Sequence, residues 1–281
     1  MATTDLYFVS GALAPTKRGM RFLGGNVDDG VQVDAGAAAM VAGNHTTGTF
    51  MCDFMVPDAT GTYTLWGAGD ANAVEYVHIT VEEGTIWVMM VKAGPTTQID
   101  VNTAEDSIKA HKHYNLAVVQ DGNVMKIYLN GKDMPLTWTT STERGQWFAD
   151  LNNIDGAHIG AADSVAGAAA LTQEFKGYIA NVRMWSDTAA SAALDEDEVN
   201  QAMSGASVAE SDLLNSWNLD QNVFDEGTGE DDGTVVGALI YSDFNEFASR
   251  LTFLETTPLA ADNVHITSHD GIGYAYSILG A

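Results

Sequence analysis

Apolar residues recur at every second position through most of this chain, in short runs bounded by Gly, Asp and Asn. That period belongs to strands with one face buried, and little of the sequence carries the three-to-four spacing of amphipathic helices. In HITVEEGTIWVMMV, Ile79 and Val81 lead into Glu83-Gly84, and the apolar run resumes around Ile86, Trp87 and Val88. Two strands joined by a tight turn make a hairpin. In HYNLAVVQDGNVMKIYLNGKDMPLTW, Asp121-Gly122 and Asn130-Gly131 are turn pairs, and Met125, Ile127 and Leu129 share one face between them. The pattern predicts a three-stranded antiparallel meander. FKGYIANVRMWSD, from Phe175 to Asp187, reads as another strand, with Tyr178, Ala180, Val182 and Met184 on one side and Asn181 and Arg183 on the other.

One stretch carries helix signals. In DTAASAALDEDEVNQAMSG, Asp195 stands at an N-cap position, Glu198 follows three residues later, and Gly205 supplies a stop. This is the capping-box spacing, and the carboxylates suit the positive end of the helix dipole. The acidic cluster after the strand at 175–187 is therefore a helix start. Beyond Gly205, DLLNSW and TVVGALIY read as short strands around a Gly/Asp-rich turn, and NVHITS and GYAYSIL alternate again near the end. The fold class is all-β with one short helix.

At 281 residues the chain is long enough for one large β-domain or two smaller ones, with a sizeable core. Its 38 Asp and Glu against 12 Lys and Arg give a formal net charge of −26. Such a surface repels phosphates and anionic bilayers, so nucleic acid is excluded as a partner, whereas cations, neutral sugars and basic proteins are not. Cys52 is the single cysteine, so no disulfide forms within the chain, and in GTFMCDFMV it packs as a small hydrophobe. No basic segment precedes an apolar stretch at the N-terminus, and no run of eighteen apolar residues occurs. Neither a signal peptide nor membrane insertion is expected.

Catalytic patterns are sparse. Glu82-Glu83 falls at a hairpin turn and Asp195 to Glu198 at a helix start, neither of which aligns carboxylates along a strand face as retaining glycoside hydrolysis requires. His111 and His113 have the spacing of a shared strand face, without an evident third metal ligand. No HExxH pattern, phosphate loop or nucleophile elbow is present.

Taken in order, GTFMCDFMVP, KHYNLAVVQDGNVMKIYLNGK and HIGAADSVAGAAALTQEFKGYIANVRMWSDTAASAALDEDEV resemble the laminin-G and pentraxin-like branch of the concanavalin A-like lectin/glucanase superfamily. LLNSWNLDQNVFDEGTGEDDG is similar to a segment that accompanies such domains. The resemblance implies a two-sheet antiparallel jelly-roll sandwich. It places an N-terminal arm at residues 1–23, the sandwich at 24–241, and an extension at 242–281 that supplies closing strands or assembly contacts. Gly177 then permits close backbone approach, and Trp185 packs against the helix.

Pentraxin-like members bind calcium, and this resemblance nominates Asp70, Asn72, Asp163 and Gln173 as calcium ligands, although Ala161 and Ala162 stand where two further oxygen donors belong. Calcium is a candidate cofactor and none is required. Trp66, Trp87, Trp138 and Trp147 are candidates for stacking on sugar rings, with Trp138 and Trp147, which flank the loop TTSTERGQ, the better placed for exposure. The expected function is a non-catalytic lectin-like structural protein displayed on a virion surface, a phage capsid decoration or tail-associated protein that adheres to glycans. It is assembled in the host cytoplasm as a homo-oligomer, and its partners are other virion proteins such as the major capsid protein, and host-surface glycans. The alternative is a secreted or cell-surface carbohydrate-binding lectin, and a glycoside hydrolase ranks third.

Overall fold

The structure is a computed structural model and describes residues 18–24, 29–94, 96–140, 144–162, 171–237, 239–243, 264–268 and 274–278. The chain forms two compact units, Met1–Phe244 and Asn245–Ala281.

In the first unit the alternating runs become strands β1 (Arg18–Phe22), β2 (Gly30–Gln32), β3 (Thr47–Met55), β4 (Thr62–Gly69), β5 (Tyr76–Glu82) and β6 (Thr85–Lys92). Then come β7 (Thr96–Thr103), β8 (Tyr114–Gln120), β9 (Met125–Leu129), β10 (Lys132–Asp133), β11 (Leu136–Thr140) and β12 (Gly156–Ile159). The unit ends with β13 (Gly177–Asp187), β14 (Leu213–Trp217), β15 (Thr234–Val236) and β16 (Ile240–Asp243). Helices α1 (Asp34–Ala42) and α2 (Glu196–Met203) are inserted between them.

Sheet A has the order β10-β9-β8-β3-β13-β1-β16, with β14 also paired to β13, and sheet B has the order β11-β7-β6-β5-β4-β12-β2-β15. Phe50, Leu116, Val118 and Ile127 of sheet A share one core with Ile79, Val81, Val88 and Val101 of sheet B. The Phe50 and Trp66 rings meet across the sandwich at 6.2 Å. This is the expected two-sheet antiparallel sandwich.

The turns follow their sequence signals. Glu83 and Gly84 both take positive φ between β5 and β6, as a two-residue hairpin turn demands. Helix α2 begins at Asp195, whose carboxylate accepts from Glu198 N while the Glu198 carboxylate accepts from Asp195 N, each at 2.9 Å. The apolar face of α2 covers the outside of sheet A, where Val199 and Ala202 pack with Leu194 against Met51, Val119, Tyr128 and Trp185. Each large side chain in that seam stabilises by roughly 1.5–3 kcal/mol when fully buried. Gly177, at φ +133, lies so close to β3 that a Cβ there would meet Met55 O at 2.0 Å.

Several expectations change. Arg18–Phe22, within the expected N-terminal arm at 1–23, is strand β1, hydrogen-bonded between β13 and β16, so the sandwich starts before Gly24 and runs past Tyr241. The meander forms, but its third strand stops at Met134-Pro135 and the chain crosses to sheet B as β11, because proline offers no N–H to the ladder. Helix α1 was not anticipated: its alanines are good helix formers, yet no side chain caps it, and the Asp34 carboxylate accepts instead from Ala157 N at 2.8 Å.

The largest change concerns β13. Its register against β3 slips between Ala180 and Arg183, and Asn181 sits at φ +49. This is a β-bulge, and the extra residue inverts the alternation. Ile179 faces the core before it, and Val182 and Met184 face the core after it, so Tyr178 and Ala180 do not share their side.

In the second unit, NVHITS and GYAYSIL pair with each other as the antiparallel hairpin β17 (Val264–Ser268) and β18 (Tyr274–Ile278).

Candidate functional site

The outer face of sheet B gathers aromatic and polar side chains on rigid strands. Val77, Ile79 and Val81 of β5, Ile86 and Val88 of β6, and Ile99 and Val101 of β7 all enter the core. Strand geometry then sends Tyr76, His78, Thr80 and Glu82, Trp87 and Met89, and Asp100 and Asn102 to the opposite side. Pairing aligns them in two rows across the strands: His158, Gly67, His78, Met89 and Asp100, and beside it Thr80, Trp87 and Asn102.

These side chains position one another. Trp87 Nε1 donates to Asp100 Oδ1 at 2.8 Å, and Tyr76 stacks on His78 with centroids 4.5 Å apart. The Tyr76 hydroxyl reaches Met89 Sδ at 3.2 Å. Burial, and then the Asp100 charge, raise the Tyr76 phenol above its ordinary pKa. Burial, and then Glu83, raise the Glu82 carboxyl, with Asp100 adding and a hydrogen bond from Thr62 opposing. One end of the face is roofed, since a Cβ on Gly67 would come within 2.9 Å of Ala161 O and Ala162 Cα. The other end opens into an acidic depression of about 410 Å³ bounded by Glu82, Glu83, Asn102, Glu105 and Asp106.

The nominated tryptophans lie elsewhere. Trp147 is buried at 2% exposure, its ring edge-on to Phe148 and its Nε1 donating to Ser186 Oγ at 3.3 Å. It is a core residue with no face for a ligand. Trp138 is half-buried, pairs with the inward-facing Val101 and packs against the core, while the Arg144 guanidinium lies 4.8 Å from its ring centroid. Trp66 is core as well. Trp87 alone of the four candidates stands on the outer face of sheet B, and the alternation of Tyr76, His78, Thr80 and Glu82 with Val77, Ile79 and Val81 was the sequence signal for that face.

The nominated calcium ligands do not converge. Asp70, at the far end of β4, accepts from Asn72 N at 2.6 Å, and Asn72 Nδ2 donates to Asp155 Oδ2 at 3.2 Å. Gln173 accepts through its backbone oxygen from Thr64 N at 2.9 Å, near the opposite end of β4. Thr64 and Asp70 are six positions apart along β4 and its end, roughly 20 Å at the usual rise. Asp163 lies outside the described residues. Among the described residues no group of three or more His, Cys, Asp or Glu side chains stands close enough to hold a metal ion. His111 and His113 do not share a strand face either: His111 is in a turn at φ +58, before β8 begins at Tyr114. Cys52 is buried in the core, and burial and then Asp53 push its thiol pKa well up.

A laminin G family model described as Concanavalin A-like lectin/glucanases superfamily matches residues 24–200. Among solved structures, the CBM40 of Ruminococcus gnavus IT-sialidase bound to alpha2,3 sialyllactose superposes with a TM-score of 0.51 at 13% identity, covering 66% of this chain and 97% of that one. A candidate carbohydrate-binding protein from Bacteroides ovatus gives 0.50 at 16% identity, covering 81% and 60%. The leech intramolecular trans-sialidase gives 0.50 at 15%, covering 69% of this chain and only 29% of the enzyme. At these identities the likeness is one of fold. No curated protein sequence matches the chain.

Proposed function

The chain belongs to the concanavalin A-like lectin/glucanases superfamily, and from that premise we propose that it is a non-catalytic carbohydrate-binding module whose sugar platform is the outer face of sheet B. The observation that carries this reading is the 2.8 Å hydrogen bond from Trp87 to Asp100, which holds a partly buried indole on a strand. Sugars present an apolar C–H face and a rim of hydroxyls. A fixed aromatic ring meets the first, and carboxylate and amide groups such as Asp100, Asn102 and Glu82 meet the second. The Ruminococcus module bound to a sialylated sugar and the Bacteroides protein described as carbohydrate-binding support a carbohydrate ligand here, though not the charge of that ligand.

The charge around the face narrows the ligand. Glu82, Glu83, Glu105 and Asp106 surround its open end, so an acidic sugar is repelled and a neutral glycan is preferred. The absence of catalysis in this proposal rests on the engagement of Asp100 by the Trp87 indole and on the position of Glu83 at the tip of a hairpin turn.

A glycan-array screen of the full chain, repeated with Trp87→Ala, tests this reading. Saturable binding to neutral glycans is expected, weakened at least about tenfold by the substitution. Unchanged binding by Trp87→Ala, or a preference for sialylated glycans, would sink it.

The narrower placement of the module on a virion surface, as a homo-oligomer beside the major capsid protein, is part of the proposal. The separate C-terminal unit, Asn245–Ala281, supports it as a candidate attachment element. Immunogold labelling of purified particles is expected to decorate the capsid or tail. Label confined to particle-free culture medium would favour the secreted-lectin alternative.

A further inference from the structure

A second cleft, of about 380 Å³, lies on the outside of sheet A beside the end of α2, on a different sheet from the Trp87 face. We propose that it is a binding site for a neutral polyhydroxylated ring, a monosaccharide or the terminal residue of a glycan, independent of the sheet B platform.

The floor of the cleft is a fixed polar network. Asp53 of β3 is 4% exposed, and its carboxylate accepts from the side-chain amides of Asn115 on β8 and Asn181 at the bulge of β13, the second at 2.6 Å. An ionised carboxylate only accepts, so both amides are oriented with NH2 towards Asp53 and their carbonyls directed away from it. Asn115 and Asn181 both line the cleft. Arg183, also on the floor, is immobilised: Nη2 donates to Ala202 O at 2.8 Å, at the carbonyl end of α2, and the guanidinium lies 5.2 Å from the Trp185 ring centroid. Ser204, Ser207 and Ser216 add hydroxyls to the walls, and Glu210 and Glu226 stand at the rim.

Charge decides the ligand class. An anion entering the cleft meets Asp53, Glu210 and Glu226 within a chain of net charge −26. A cation meets the Arg183 guanidinium fixed on the floor, whose pKa burial lowers while the Asp53 and Glu210 charges oppose that shift. A neutral ligand avoids the repulsion an anion meets and needs no charge of its own, because Asp53 is already engaged by Asn115 and Asn181 and Arg183 by Ala202. What the walls offer such a ligand is alternating donors and acceptors: amide carbonyls, guanidinium N–H groups and hydroxyls that both donate and accept. This is the complement of a ring of hydroxyls, and the volume falls within the range of small-molecule sites. Among the described residues no aromatic ring lines the cleft, so recognition there runs through hydrogen bonds, in contrast to the Trp87 face.

Methyl NMR of the full chain labelled with 13C at the methionine methyl groups separates the two sites in one titration, since Met51 and Met203 line this cleft and Met89 lies on the sheet B face. The probes are glucose, galactose, mannose and N-acetylglucosamine, with glucuronate and glucosamine as charged counterparts, each raised to about 50 mM to reach weak dissociation constants. At least one neutral sugar is expected to shift Met203 and Met51 saturably, with glucuronate at least about tenfold weaker. Ser207→Trp, at an exposed rim position, is expected to abolish those shifts while leaving the melting temperature and any Met89 response unchanged. Failure of every neutral sugar to move Met51 and Met203, or shifts that survive Ser207→Trp, would overturn the inference. A Met89 response without a Met203 response overturns this site and leaves the sheet B reading standing, and the converse result does the reverse.

Discussion

Asn181, the bulge residue of β13, donates a 2.6 Å hydrogen bond from Nδ2 to Oδ2 of Asp53 on β3. The bond links two residues 128 positions apart and pins the place where β13 changes phase. Without the bulge, a strand that began with Ile179 inward would carry Val182 and Met184 to the solvent side. The bulge corrects this and leaves Asn181 and Arg183 on the outer face together, which is what builds the sheet A cleft. Two variants of Asn181 separate the backbone from the amide. Asn181→Gly keeps the positive φ and loses the hydrogen bond, and should cost about 1–2 kcal/mol. Asn181→Val adds a β-branched residue at positive φ, and should cost about 2–4 kcal/mol. Urea midpoints at unchanged slope measure both, and equal losses would show that the bulge conformation is not under backbone constraint.

Gly177 makes the complementary case for close approach. Alanine there places a Cβ against Met55 O and holds φ at +133, whereas Gly94, at φ +93, has no atom within 4 Å of an added Cβ. Gly177→Ala is expected to lose about 3 kcal/mol or more and Gly94→Ala about 1 kcal/mol. Thermal melts of the two variants compare them, and similar melting temperatures would contradict the tight β13 to β3 packing.

Asp231 is expected to oppose stability near neutral pH. Burial pushes its carboxyl up, the hydrogen bond from Gly36 N at 2.7 Å works against that shift, and the charges of Asp225, Asp34 and Asp232 add to it. A folded-state pKa above the unfolded value means that the native state binds the proton more tightly. Its contribution is therefore fully present below the unfolded carboxylate value of about 3.9 and is lost as pH rises through the raised folded value. Asp231→Asn retains an acceptor for Gly36 N, so it should match or exceed the wild type at about pH 7, with that advantage shrinking towards about pH 3. Urea unfolding at the two pH values provides the comparison. A variant clearly less stable at neutral pH would show that the charge itself is needed.

Calcium is expected to leave the melting temperature unchanged to within about 1 °C relative to chelator, because a ligand stabilises only through a site it binds in the folded state. The Asp70 loop is already closed by bonds from Asn72 N to Asp70 and from Asn72 to Asp155. A rise of several degrees with calcium that disappears in Asp70→Ala would reinstate the loop as a metal site.

Elements whose causes are local are legible in the order of residues alone. Alternation marked the strands, Asp121-Gly122 and Asn130-Gly131 marked turns, and Asp195 with Glu198 marked the start of α2, because capping and turn chemistry act within three or four residues. The order of such pieces also carried the family. Helix α1 escaped because its capping signals are absent and its Asp34 serves a strand far along the chain. The candidate sites escaped for a related reason. Trp147 and Trp87 are equivalent as letters, and only tertiary packing sets one edge-on to Phe148 in the core while the pairing of β6 with β7 sets the other beside Asp100 on the outer face. The single extra residue in β13 is invisible in its own alternation, yet it decides which side chains join Asp53. Tertiary structure settled these points because the register between distant strands, rather than the preference of any one residue, fixes which faces are buried.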